Sequence, residues 1–133
     1  MSYSNNPTSI LAGTGITVTP TSGTGANTVT IAATGTTSLA IRIAVATPVT
    51  VNGASDDVIS VQVPGPVAVA VNLPVGVLGA AFTIKDGLGL ASVATPITIT
   101  PAAGTIDGAA TATISAPYGA LTFIYDGVEW LII

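Results

Sequence analysis

Few side chains in this chain of 133 residues can do chemistry. Six are acidic, Asp56, Asp57, Asp86, Asp107, Asp126 and Glu129, and two are basic, Arg42 and Lys85. Histidine and cysteine are absent. That removes the imidazole base, the thiolate nucleophile and the sulfur-ligated metal. Glycoside hydrolysis needs only a pair of carboxylates, but three of the six precede glycine, in Asp86-Gly87, Asp107-Gly108 and Asp126-Gly127. Asp and Gly both tolerate positive φ, which tight turns require, so these six residues read as structural turns. Asp56-Asp57 offers oxygen ligands of the kind calcium takes; the same pair can also open a strand or meet Arg42. Lys85 reads as a solvated turn charge or as half of an intersubunit pair. Trp130 can stack on a sugar or pack in a core. The expectation is a chain with no catalytic residue, no cofactor and no metal, and so not an enzyme.

Charge also bounds the partners. Only 6% of residues are charged, against about 25% in ordinary soluble domains. Hydrophobic residues make up 49% and aromatic residues 5%, so the apolar content is mostly Val, Ala, Ile and Leu. Few charges remain to keep a monomer in solution, and obligate interfaces are apolar; Val/Ala surface buried between copies of the chain is the expectation. Two basic side chains cannot displace the counterions of a nucleic acid, nor hold an anionic membrane surface. Mean hydropathy is +0.78, yet runs such as Val67 to Val71 and Val75 to Phe82 are far shorter than the ~20 residues of a spanning helix. The two aromatic girdles of an outer-membrane barrel are not visible. Met1 to Pro7 has neither a basic n-region nor an apolar h-region, and no secretory signal is expected there.

The elements that must position these residues are short strands. Fifteen glycines and nine prolines fall between the apolar runs, where they would break a helix of any length. Residues 1–9 read as an extended polar arm. Residues 10–37 read as a β-hairpin docking module, with Ile16-Thr17-Val18-Thr19 and Thr28-Val29-Thr30-Ile31 alternating on either side of a turn-rich connection. Residues 38–133 read as a β-sandwich. Within it Leu39, Ile41, Ile43 and Val45 share one face of a strand that Val49 to Val51 can continue after Pro48. Ile59, Val61 and Val63 alternate, as do Val67, Val69, Val71 and Leu73. If Asp126-Gly127 is a two-residue type I′ loop, Tyr125 faces Val128, Phe123 faces Trp130 and Leu121 faces Ile132. Phe123, Tyr125 and Trp130 would then form an aromatic core on one sheet face. The fold class expected is all-β: an N-terminal arm and hairpin module followed by an antiparallel, jelly-roll-like β-sandwich, assembled as a trimer.

The last part of the chain also carries a series of motifs: Thr83-Ile84-Lys85-Asp86-Gly87, Ile97-Thr98-Ile99-Thr100-Pro101, Gly104-Thr105-Ile106-Asp107-Gly108, Tyr118-Gly119, Tyr125-Asp126-Gly127 and Trp130. Their order resembles a β-domain that recurs in bacteriophage virion proteins, namely tail fibres, tailspike tips and head-decoration or head-fibre proteins. The resemblance covers roughly Thr47 to Ile133. Asp56-Asp57 fits the family's acidic start and Leu73-Pro74 its leucine-proline pair; Leu88-Gly89-Leu90 departs from the Asn or Ser that often follows the first Asp-Gly. The resemblance implies a virion structural role, usually homotrimeric. The partners it implies are the chain's own copies and a capsid or tail protein of the same virion, assembled in the host cytoplasm.

Two functions follow as expectations: a capsid decoration or cement protein of the head-fibre kind, or a short tail-fibre or receptor-binding module contacting the host. A polysaccharide-cleaving tailspike domain ranks behind both, given the length and the sparse carboxylates. The polar arm and hairpin, having no core of their own, are expected to form the docking end.

Overall fold

The computed structural model describes the strand backbone of 16–21 and 28–33 and the whole of 38–133. The expected arm over 1–9 lies outside the described residues, as does part of the expected module over 10–37. The chain divides into two compact units, Met1–Ser38 and Leu39–Ile133. In the first, β1 (Ile16–Thr21) pairs antiparallel with β2 (Thr28–Ala33), from Ile16 opposite Ala33 to Thr21 opposite Thr28.

The second unit is all-β. Nine strands make two sheets around one core: β3 (Ile41–Ala44), β4 (Val49–Thr50), β5 (Val58–Val61), β6 (Val69–Leu73), β7 (Ala81–Asp86), β8 (Ile97–Pro101), β9 (Ala112–Ile114), β10 (Ala120–Tyr125) and β11 (Trp130–Ile132). The first sheet has the order β11-β10-β7-β5-β3 and the second β4-β6-β8-β9. No helix occurs among the described residues.

The purely antiparallel, jelly-roll-like connectivity expected from the sequence is corrected by this topology. From β3 to β8 successive strands alternate between the two sheets. Neighbours within a sheet are therefore next-but-one in the chain and run parallel, β3 beside β5 beside β7 and β4 beside β6 beside β8. Parallel neighbours need a crossover of a dozen or more residues, usually a helix. Here a strand of the opposite sheet, with its two connections, serves as that crossover. Within this unit only the last strands turn back, where β9 pairs antiparallel with β8, β10 with β7 and β11 with β10. A second correction concerns Val49: β4 does not continue β3 but begins the other sheet, after a cis Thr47-Pro48 bond.

The strand period of two fills the core. Ile59 and Val61, Val69, Val71 and Leu73, Phe82 and Ile84, and Ile97 and Ile99 are buried from alternate positions. Phe123 and Trp130 are fully buried. Ala68 and Ala70, on the other side of the β6 stretch, are exposed. β3 is the exception to hydrophobic-in patterning. Its pairing sets Arg42 opposite Ile59 and Ala44 opposite Val61, so Arg42 and Ala44 share the core face. Ile41 and Ile43 point outward and are 68% and 59% exposed.

Candidate functional site

The charged side chains were the candidates for chemistry, and the fold engages each of them within the chain. Arg42 opens the series from the core face of β3. Its Nε donates to both Asp56 oxygens at 3.0 Å, and its Nη2 donates to Asp56 Oδ2 at 2.9 Å and to the Thr50 carbonyl at 2.8 Å. Asp56 is buried and also accepts the Asn52 amide at 2.8 Å. Burial by itself would raise the Asp56 carboxyl, but the Arg42 hydrogen bonds, the Asn52 amide and the Arg42 charge outweigh it and hold the group below its ordinary value. Of the readings open for Asp56-Asp57, the structure contains two: Asp56 pairs with Arg42, and the two aspartates directly precede β5. Asp57 Oδ2 accepts the Ala40 amide at 2.7 Å while the Ala40 carbonyl accepts the Asp57 and Val58 amides at 3.0 Å, fastening the start of β3 to that of β5.

Asp86 ends β7 on its core side and is buried. Its carboxylate gathers four backbone amides: Leu88 and Gly89 at 3.3 and 3.0 Å on Oδ1, Ala91 and Tyr118 at 2.9 and 3.1 Å on Oδ2. Burial would raise its pKa, yet these donors, the Ala91 amide foremost, bring it below the ordinary value. Gly87 follows at the end of the strand and donates its amide to the Val61 carbonyl at 2.8 Å. Lys85 Nζ donates to the Tyr118 carbonyl and lies 5.9 Å from the centre of the Tyr118 ring. Lys85 and Asp86 thus hold the same residue from two sides, and Tyr118 adopts the left-handed region with φ 58°.

The other three acids surround β11. Asp107 and Gly108 both have positive φ, 46° and 76°. Ile106 and Ala109 exchange backbone hydrogen bonds of 2.8 Å across them. This is the two-residue turn with positive φ at both central positions that type I′ requires. Glu129 Oε2 accepts the Gly108 amide and the Thr105 hydroxyl, both at 2.7 Å, and the Asp107 carboxylate accepts the Ile132 amide at 3.3 Å. The Asp107 amide in turn donates to the Trp130 carbonyl at 2.9 Å.

The Asp126-Gly127 expectation is corrected. Tyr125 pairs with Trp130 and Phe123 with Ile132, so the loop has four residues, Asp126 to Glu129. Gly127 has φ 103°, but Asp126 is not in the positive-φ region. The cause is the Asp126 carboxylate, whose Oδ1 accepts the Val128 and Glu129 amides, both at 2.8 Å, and draws two more residues into the turn. Those amides lower the Asp126 pKa. The register moves by two positions, which preserves the face of every side chain. Phe123, Tyr125 and Trp130 therefore remain together: the Tyr125 and Trp130 ring centres lie 5.3 Å apart. Phe82, which the sequence-based aromatic core omitted, lies 5.6 Å from Trp130. The alternation of Phe82 with Ile84 was the signal available in the sequence, and the fold sets Phe82 opposite Phe123. Trp130 is fully buried, not presented to a sugar, and its indole Nε1–H has no hydrogen-bond partner among the described residues.

Among the described residues no group of three acids gathers as metal ligands would. A shallow groove of about 240 Å³ beside β9 and β10, with Thr113, Ile114 and Leu121 in its wall, is lined by no charged side chain. No protein-family model matches this chain, and no curated protein matches it.

Proposed function

We propose that this chain is a structural protein of a bacteriophage virion, a capsid decoration or cement protein of the head-fibre kind that docks on the particle as a homotrimer. One observation carries the reading: all eight charged side chains bond within the chain, and all six carboxylates accept backbone amides. A glycosidase leaves its two carboxylates free to face a bond; here the carboxylates are occupied in fastening turns. The motif series from Thr83 to Trp130 supports the virion setting, and the exposed aliphatic side chains support assembly from copies.

Two measurements test this. The first is to locate the protein in intact particles by labelling; density on the head is expected, whereas density on the tail would replace this reading with the tail-fibre or receptor-binding one. The second is to delete residues 1–9. The deleted protein is expected to remain trimeric and to lose occupancy on capsids, and capsids lacking the protein should resist heat less well. Full occupancy by the deleted protein would place docking elsewhere in the chain.

A further inference from the structure

The turn between β4 and β5 carries a reactive pair. The chain has five asparagines, and Asn52 is the one that precedes a glycine. Asn52 and Gly53 are both exposed. The Asn52 side chain folds back along the turn, and its Oδ1 accepts the Ala54 amide at 3.0 Å. That contact holds the side-chain carbonyl against the backbone running through Gly53. It also polarises the carbonyl, as a donor does where negative charge develops on oxygen. The Gly53 amide, which lies between them, donates to no described residue. Glycine has no side chain to obstruct a close approach. The rest of the turn is fixed. Asp56 Oδ2 accepts the Asn52 amide at 2.8 Å, and the Asn52 carbonyl accepts the Ser55 and Asp56 amides at 3.2 and 2.9 Å. An electrophilic side-chain carbon and an unengaged backbone nitrogen are thus members of one prospective five-membered ring.

We infer that Asn52-Gly53 is a site of spontaneous covalent modification, at which the chain converts its own asparagine to aspartate and isoaspartate. The Gly53 nitrogen gives its proton to hydroxide and bonds to Asn52 Cγ. The bond from Cγ to the side-chain nitrogen breaks, and that nitrogen takes a proton from water and leaves as ammonia. Water then opens the cyclic imide. Attack at Cγ gives aspartate; attack at the Asn52 backbone carbon gives isoaspartate, with the main chain running through Cγ. One water is consumed and one ammonia released, with no oxidation or reduction. The other pairs lack this combination. The Gly87 amide is engaged by the Val61 carbonyl and the Gly108 amide by Glu129. At Asp126-Gly127 the side chain is a carboxylate, ionised at neutral pH, and a poor electrophile. Asn72 lies within β6 and precedes leucine. Conversion at Asn52 adds a carboxylate to a chain of net charge −4, in the turn that holds Asp56 against Arg42.

The full chain, kept for days in warm, mildly alkaline buffer, should develop a more acidic form on anion exchange. Peptide mapping should place the mass change of amide to acid at Asn52, and isoaspartyl methyltransferase should label that peptide. Asn72 should be unchanged. Gly53→Ala separates the mechanism from simple hydrolysis. Gly53 is not at positive φ, and a Cβ there meets Pro74 and Phe82 at 3.6 and 3.8 Å, which is ordinary contact, so the fold accommodates the variant. The added methyl crowds the attacking nitrogen. Conversion should slow by about tenfold or more, equal to about 1.4 kcal/mol of added barrier. Chain unfolded in guanidinium is the reference, since the pair then reacts through its sequence alone. A folded chain that stays intact while the unfolded chain converts overturns the inference. So does conversion of Gly53→Ala at the unmodified rate, which would mean direct attack by water, and so does equal conversion at Asn72.

Discussion

The Asp86 carboxylate accepts the Tyr118 amide at 3.1 Å across 32 residues of sequence. The same oxygen takes the Ala91 amide at 2.9 Å. One buried side chain therefore joins the end of β7, the connection that follows it and the turn that leads into β10. Replacing it leaves amides without a partner. Asp86→Ala is expected to cost about 3 kcal/mol or more, because buried donors deprived of a charged acceptor lose about 1–3 kcal/mol each where water cannot replace it. Asp86→Asn, which retains one acceptor oxygen, should cost less. Urea unfolding measures both, and a loss below about 1 kcal/mol for Asp86→Ala would show that water takes over the carboxylate's role.

Acid sensitivity follows from the same groups. The carboxyls of Asp56, Asp86 and Asp126 lie below their ordinary value of 3.8 in the folded chain. Between the two values the unfolded chain binds more protons, so stability rises with pH through that window. The contribution is complete above the ordinary value and is lost as pH falls through the lowered ones. With no histidine, no side chain has an ordinary pKa between about pH 5 and 8. The urea midpoint should be flat across that range and fall below about pH 4. A midpoint that climbs on acidification, or drops already near pH 6, would contradict this account.

Two turn glycines are held by backbone conformation. Gly108 and Gly127 have φ of 76° and 103°, and a Cβ at Gly108 meets nothing within 4 Å while one at Gly127 touches only Leu78 at 3.6 Å. Space is therefore not the obstacle, and backbone strain is. Gly108→Val and Gly127→Val should each cost more than the ~1 kcal/mol typical of a substitution, since β-branched residues are badly strained at positive φ. Thermal melts report both, and an unchanged midpoint would show that the turn has adopted another geometry.

Trp130 is buried, and its indole N–H has no partner among the described residues. Its contribution within the fold is ring packing against Phe82 and Tyr125. Trp130→Phe should cost about 1–2 kcal/mol for lost volume, and Trp130→Ala about 3–5 kcal/mol for a cavity among large rings. If Phe and Ala are equally damaging in urea titrations, ring packing is not what Trp130 contributes.

Local order was legible in the sequence, because turn residues and a period of two are properties of neighbours in the chain. The alternation of Val69, Val71 and Leu73 and of Ile97 and Ile99 marked strands whose buried faces are the ones that the pattern designates. Phe123 and Trp130 kept their common face even though the expected register was displaced, because a displacement of two leaves the pleat unchanged. Strand direction was not legible. β3, β5 and β7 lie parallel because intervening strands were taken by the other sheet, a choice that no local pattern encodes. Three Asp-Gly pairs look alike in sequence, and only Asp107-Gly108 forms the two-residue turn. Asp126 captures the amides of its own loop, and Asp86 reaches Tyr118 from the far end of the chain. The face of β3 was decided in the same way. Ile41 and Ile43 point outward because Arg42, between them, is held inward by the buried carboxylate of Asp56. Propensity sets which residues can form a strand or a turn, but contacts between residues distant in sequence select among the directions, registers and faces it leaves open.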